Sequence, residues 1–468
     1  MVAPSLPQSK TGQLATAIQD GKRASALEMI RAGADVNEAQ PDGTRPIHWA
    51  VYRFDYELTD ALIAKKVKVD VTNEFGSTPL AEATKQGNAR MVKTLLAAGS
   101  GTEGANEDGQ TALMIAIKNG DLSVFNLLID AGAKVNAVEK VQDQTPLMWA
   151  AAAARNAPEM VKVLIAKGAN VNARAKFNDW PGQITSEPRA QYHTYGGLTP
   201  LLYAARGGCY ACVEALVSAG ADVNLPNNEG MTPMMIALDN NQNGIAKFFL
   251  DHGANPKAWD IYGRTALYVA IDHAPGAAPA GGGGGGFGAR GAQARQGAAS
   301  SDGAQAGRGA GGQAGRGGGG AAGNRGGGGG APGGGAGRED GGGAVATGPQ
   351  VSSMEIINLL LAAGVNPNTE LNARRPEAGS GGRFADPLLS SGTTPLLRAL
   401  IGNNTEVARM LLDNGANPNI YGMGISPWLY AAGLTSGVLS TARGRNPGGG
   451  GDGATVNTDL LDLMIKHG

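Results

Sequence analysis

One phrase returns along this chain at a spacing of 33 residues, and no other feature narrows its possible folds so far. The phrase is Gly-x-Thr-Pro-Leu, then a helix rich in small residues, a turn, a Leu-rich helix and Gly-Ala-x-Val-Asn. Its Pro position is filled by Pro46, Pro79, Ala112, Pro146, Pro200, Pro233, Ala266, Pro395 and Pro427. The step is 33 from 46 to 79, 79 to 112, 200 to 233 and 233 to 266, and 34 from 112 to 146. A fixed period of this size means stacked supersecondary units, none of which can bury its apolar face alone.

Each part of the phrase has a physical reason. Thr78 and Thr145 stand where a hydroxyl can cap free helix N–H groups, and the Pro that follows sits in the first turn, where no donor is missed. Small residues such as Ala150 to Ala154 and Ala204-Ala205 let neighbouring units approach closely. Val92–Leu96, Val124–Ile129, Val161–Ile165 and Ile356–Leu361 carry apolar residues at helical spacing. Glycines such as Gly99, Gly132, Gly220 and Gly415 then end those helices in the left-handed conformation.

A 33-residue period carrying Thr-Pro-Leu and Gly-Ala-x-Val-Asn resembles the ankyrin repeat, and the resemblance covers most of the chain. It implies an all-α solenoid of helix–turn–helix units joined by short β-hairpins, with about ten repeats. The first unit, about 9–37 after a lead-in at 1–8, lacks the Thr-Pro-Leu phrase but keeps Gly33-Ala34-Asp35-Val36-Asn37. The first eight repeats, the eighth only to its first helix, occupy 9–274, and 351–468 holds the remainder.

Four insertions interrupt this register. Those at 175–194 and 371–391 fall at hairpins, and those at 275–350 and 433–454 fall between paired helices. The 275–350 insert is roughly half glycine with Phe287 as its one aromatic, so it cannot bury enough apolar surface to offset its ordering entropy and is expected to be disordered. Loop-closure cost grows only logarithmically with length, so the eighth unit is expected to close around it, through Met354–Ala363. The 175–194 insert differs in kind, because Trp180, Arg189, Tyr192 and Tyr195 give it the residue types that anchor interfaces. It reads either as a binding loop or as a cover for its own groove.

The net charge of −1 points to neither nucleic acid nor an anionic membrane. No apolar run nears the 18 or so residues of a membrane span. The start has no basic or apolar leader segment, so the chain reads as soluble: cytoplasmic, or periplasmic or secreted if a signal peptide has been removed. It looks like bacterial multi-repeat ankyrin proteins.

A search for chemistry finds no catalytic constellation, and no cofactor or metal site is expected. His48 fills the fourth position of a Thr-Pro-Leu-His phrase and is expected to hydrogen-bond its own hairpin. His252 and His467 favour the negative ends of helices, and His193 and His273 stand far apart. The glycine tract matches G-x-G-x-x-G trivially, following no strand and opening no helix. Cys209 and Cys212 are the only cysteines; Cys209 reads as replacing a turn His and Cys212 a Val. Three residues apart on a helix, they are within disulfide reach, and they read either as small apolar fillers or as a disulfide, with a redox or metal role as the third reading.

The resemblance implies a non-enzymatic scaffold that binds another protein through the hairpin tips and the exposed ends of the first helices. Its register carries those contacts onto Tyr52, Arg53, Phe75, Lys85, Lys118, Arg206, Asp239, Tyr262 and Asp272, with charge running from basic in early units to acidic in later ones. Trp49, Trp149 and Tyr203 read as core between repeats. Two alternative functions remain open: an accessory or maturation subunit of a redox or metal enzyme, and RNA binding through the Arg/Gly tract, whose lack of interleaved aromatics speaks against it.

Overall fold

The computed structural model describes residues 12–178, 195–274, 348–372, 392–422, 425–432 and 458–467. All of these belong to one compact unit, Met1–Gly286 together with Ala344–Gly468. The lead-in, the glycine-rich tract up to 347 and the 433–454 insert lie outside the described residues.

Helices come in successive pairs. The chain opens with Gln13–Gln19 and Arg23–Arg31, then Pro46–Tyr52 with Tyr56–Ala64, Pro79–Lys85 with Ala89–Ala97, and Ala112–Asn119 with Leu122–Asp130. Pro146–Ala151 with Ala157–Ala166, Pro200–Gly207 with Tyr210–Ser218 and Pro233–Asp239 with Asn243–Asp251 follow. Ala266–Asp272 pairs with Ser353–Ala362 across the glycine-rich insert, and Pro395–Ile401 with Thr405–Asp413 and Pro427–Ala431 with Thr458–His467 complete the series. The helix after the insert starts one residue earlier than its apolar pattern suggests, because the Glu355 N–H donates to the Ser352 hydroxyl at 3.1 Å and fixes its first turn.

The caps are those the phrase requires. The Ala81 N–H donates to the Thr78 hydroxyl at 3.0 Å, and Thr111, Thr145, Thr199, Thr232, Thr265, Thr394 and Ser426 each cap a first helix the same way. Second helices are capped by short polar side chains: Asp55, Asn88, Asp121 and Asn404 accept from the N–H three residues on. First helices pack between neighbours on both sides and are buried nearly all round, as Met234 to Leu238 show. Second helices bury one stripe, such as Met91, Val92 and Leu95, and leave Arg90 and Lys93 exposed.

Hydrogen bonds also join one repeat to the next. Several hairpins donate to their predecessors, as Glu74 N–H does to the Asp42 carbonyl (2.9 Å) and Ile261 N–H to that of Glu229 (2.9 Å). Gly76 marks how close these hairpins run. Its φ is +68°, and a Cβ there would stand 3.2 Å from the Asn106 backbone. At the helix-end side of the hairpins an Asn bridges onward in several repeats: Asn172 accepts from Asp222 N–H (2.9 Å), and Asn368 from Asn417 N–H (2.7 Å). Both bridges span an insertion without a break in register.

Those two insertions leave from hairpin stems. Phe177–Asn178 pairs antiparallel with Tyr195–Gly196, the only two-stranded sheet among the described residues, and Leu371 N–H donates to the Thr393 carbonyl at 3.1 Å. No helix among the described residues is long and apolar enough to cross a membrane.

Candidate functional site

Large apolar side chains left in water collect at one structural position. Of eleven such residues among those described, seven (Phe75, Val138, Val141, Phe177, Trp259, Ile261 and Tyr421) stand on hairpins. An eighth, Tyr52, ends a first helix beside them. Scattered exposed apolar residues need no explanation, but their gathering on one kind of element does.

One cavity of this edge lies between the second and third pairs. Its volume is about 340 Å³, and its lining includes Trp49, Tyr52, Phe75, Asp42, Glu82 and His48. Tyr52 and Phe75 are 56% and 60% exposed, and the Trp49 and Tyr52 rings meet edge to face with centroids 5.9 Å apart. Trp49 is fixed by its indole N–H, which donates to Gln40 at 2.7 Å. His48 Nδ1 accepts from the Arg45 N–H (3.1 Å), which makes Nε2 the donor to the Ser77 carbonyl (3.2 Å). Burial pushes the His48 pKa below its ordinary value, so the imidazole is neutral with both nitrogens committed. The carbonyl it reaches belongs to the next hairpin, not to its own as the sequence suggested, so His48 joins two repeats.

The same register position between the seventh and eighth pairs is filled. Arg264, in the place of Ser77, is buried; its Nε donates to Asp260 at 2.7 Å, and Nη1 lies 3.6 Å from Asp239. Its Nη2 approaches the Met231 sulfur at 3.6 Å, and its guanidinium lies 5.9 Å from the centre of the Tyr262 ring. Burial alone would lower its pKa, but Asp260, Asp239 and Asp272 more than reverse that and hold the guanidinium firmly charged. One pair further on, Arg398 Nε donates to Asp272.

This packing corrects two of the expected contacts. Tyr262 is 7% exposed, because Arg264 covers its ring and the next hairpin bonds its carbonyl through the Asn372 N–H (3.0 Å). The Asp272 side chain is 6% exposed and belongs to Arg398. Asp239 is half-buried beside Arg264 and His273, so the acidic end of the expected charge gradient is balanced from within. Arg53 is exposed, yet its Nε donates to the Ile18 carbonyl at 2.9 Å and ties the first pair to the second. Lys85 and Lys118 are exposed, and Arg206 is half-buried 5.0 Å from the centre of the Tyr203 ring. Trp180, Arg189 and Tyr192 lie outside the described residues, and of Tyr195 only the backbone is described. Trp49 and Trp149 are half-buried and Tyr203 is buried, each packed on the core, though Trp49 also walls the cavity.

Sequence reasoning missed Trp259, Tyr421 and the Arg264–Arg398 network. A signal existed for the network, since Arg398 occupies the register of Trp49, Trp149 and Tyr203, where a charge implies a buried partner. Cys209, at the turn position read from the sequence as a replaced His, fills the cap position that Asn88 and Asp121 hold in other repeats. It accepts from the Cys212 N–H at 3.3 Å, and the two sulfurs are 1.97 Å apart. No group of three or more His, Cys, Asp or Glu is placed to hold a metal among the described residues.

Comparison with known proteins fits this geometry. The model of ankyrin repeats in three copies matches residues 14–104, 98–175 and 201–278, and that of the single ankyrin repeat matches 391–422. The chain belongs to the ankyrin-repeat family. Over 146 residues it is 29% identical to the mouse B-cell lymphoma 3 protein homolog, covering 27% of this chain and 32% of that one. Over 238 residues it is 30% identical to the human palmitoyltransferase ZDHHC13, covering 51% of this chain and 35% of that one. The matched stretches span about a third of the length of these relatives. The crystal structure of the ankyrin repeat domain of Bcl-3 aligns at a TM-score of 0.40 and 22% identity, over 49% of this chain and 94% of that one. Ankyrin repeats are non-catalytic as such and suggest a protein–protein interaction domain.

Proposed function

We propose that this protein is a non-enzymatic scaffold that docks a partner protein along its hairpin edge, with the cavity of Trp49, Tyr52 and Phe75 as the principal anchor point. The observation that carries this reading is the gathering of exposed Phe75, Trp259 and Tyr421 on hairpins, beside Tyr52 at a helix end, on an otherwise well-packed array. Aromatic anchors in pockets dominate the energetics of protein interfaces, and rigid elements hold them at little entropic cost. Lys85 and Lys118 extend the edge next to the cavity and steer an acidic surface elsewhere on the partner. Cys209 caps a second helix, and with Cys212 it takes no part in docking.

The test uses the full chain as bait in an extract of its native organism, beside a Tyr52→Ala/Phe75→Ala variant whose circular dichroism matches it. A partner held by the native chain and depleted at least about tenfold on the variant supports the reading. A partner held equally by both overturns the placement of the anchor.

A further inference from the structure

Resting on that docking reading, the proposal here names the chemistry of the anchor: we propose that the cavity over Trp49 receives an arginine side chain of the partner, stacked on the aromatic faces with its N–H groups toward Asp42 and Glu82.

At the same register elsewhere, with a different set of side chains around it, the protein seats a guanidinium of its own. Between the seventh and eighth pairs, Asp239, Tyr262 and Arg264 hold the register positions of Tyr52, Phe75 and Ser77, and Asp260 that of Asn73. There the guanidinium of Arg264 occupies the site, with carboxylates at 2.7 and 3.6 Å and the Tyr262 ring centre at 5.9 Å. Between the second and third pairs the residue is Ser77, too short to enter, and the same place is an open cavity of about 340 Å³. The late site shows what the early one lacks.

The lining agrees with a planar cation. Its walls hold no Leu, Ile, Val or Met, only aromatic rings and polar or acidic groups. A leucine would meet polar edges it cannot satisfy, whereas a guanidinium uses both the faces and the edges. Asp42 and Glu82 are the only charges on the lining, and neutral His48 does not oppose a cation. Asp42 accepts from the Thr44 N–H and hydroxyl (3.0 and 2.9 Å), and Glu82 from Gln86 (2.5 Å), so both carboxylates are aligned and keep acceptor capacity. Arg45 and Arg53, the nearest arginines in sequence, are turned to the Asn37 and Ile18 carbonyls and leave the cavity open. The fold also stacks Arg90 on Tyr56, at 4.0 Å from the ring centre.

The decisive experiment is ligand-observed NMR on the full chain with three blocked peptides, acetyl-Gly-Arg-Gly-amide and its citrulline and leucine counterparts. Citrulline keeps the shape of arginine and removes the charge. The arginine peptide is expected to bind at least about tenfold more tightly than either, and Tyr52→Ala and Glu82→Gln each to weaken it by about five- to tenfold. Tighter binding of leucine, or equal binding of citrulline, overturns the arginine assignment while partner capture still reports on the docking reading. Arginine binding that survives Tyr52→Ala and Phe75→Ala undiminished also overturns it.

Discussion

The second and third pairs and the seventh and eighth pairs are built on the same backbone register and put it to opposite uses. In the early region Phe75 stands in water and Ser77 leaves a cavity beside it. In the late region Tyr262, at the position of Phe75, is buried under Arg264, at the position of Ser77. Several positions differ, with Asp239 for Tyr52, Asp260 for Asn73 and Arg264 for Ser77, and the buried guanidinium is the centre of the late set. Where the guanidinium is present, Asp260 and Tyr262 are buried and Asp239 is half-buried beside it. Where it is absent, the aromatic groups remain available to something else. The repeat therefore fixes positions, and substitutions within it assign a position to stability or to binding.

Exchanging the deciding residues should exchange the properties. Arg264→Ser leaves the buried Asp260 without its cation, and breaking a buried pair from one side costs about 3–5 kcal/mol. Urea unfolding followed by circular dichroism should show this as early loss of the pairs around the eighth, because each pair is held only by its neighbours. A loss below about 1 kcal/mol would mean that the late network is not what holds those repeats together. The reciprocal change, Ser77→Arg, keeps the backbone bonds of residue 77, since the Ser77 carbonyl accepts from His48 and its N–H donates to Asn73. It should alter stability by less than about 1 kcal/mol yet abolish binding of the arginine peptide, the new side chain taking the cavity itself. Peptide binding that persists would break the correspondence between the two regions.

How far this was legible in the sequence follows from what each property depends on. The period, the Thr and Asn caps and the left-handed glycines are local, and each is read from the residue that performs it. The early aromatic edge was also readable, because Tyr52 and Phe75 lie at positions that the register leaves outside. Burial of Tyr262 and Asp272 was not, since it depends on Arg264 and Arg398, the latter reaching Asp272 from a helix 126 residues away. The Asn172 and Asn368 bridges escaped notice for the same reason: their partners lie 50 and 49 residues on, beyond an insertion.

His48 offers a smaller test, confined to the early region. In the folded protein its pKa is lowered from 6.5 by burial, so between that lowered value and 6.5 the unfolded chain binds more protons than the folded one. Stability then rises with pH through this window, and it is lost as pH falls below about 6.5. Melting temperatures from pH 7.5 down to 5.5 should fall more steeply for the native chain than for His48→Asn. The variant starts lower, by about 1–2 kcal/mol, because the Arg45 N–H and the Ser77 carbonyl lose their partner. Parallel curves would show that the imidazole is not held neutral there.

The smallest expected effect lies in the sixth pair, where the comparison extends to how helices are capped. In the early region Asn88 caps its helix by accepting from Met91 N–H at 3.0 Å, whereas Cys209 does so with sulfur, from Cys212 N–H at 3.3 Å. Sulfur is the weaker acceptor, so a Cys209→Asn/Cys212→Met variant, copying residues 88 and 91, should recover about 0.5–1 kcal/mol through its cap. Against this, the cross-link closes so short a loop that its constraint on the unfolded chain is worth about 2 kcal/mol at most. The two nearly cancel, and the variant should melt within a few degrees of the oxidised protein and bind its partner unchanged. Alkylation of freshly isolated protein followed by mass spectrometry shows whether the pair is oxidised before the comparison is made. Should reduction alone remove more than about 3 kcal/mol, the sulfur pair is a structural staple of the sixth repeat, and capping is not its main contribution.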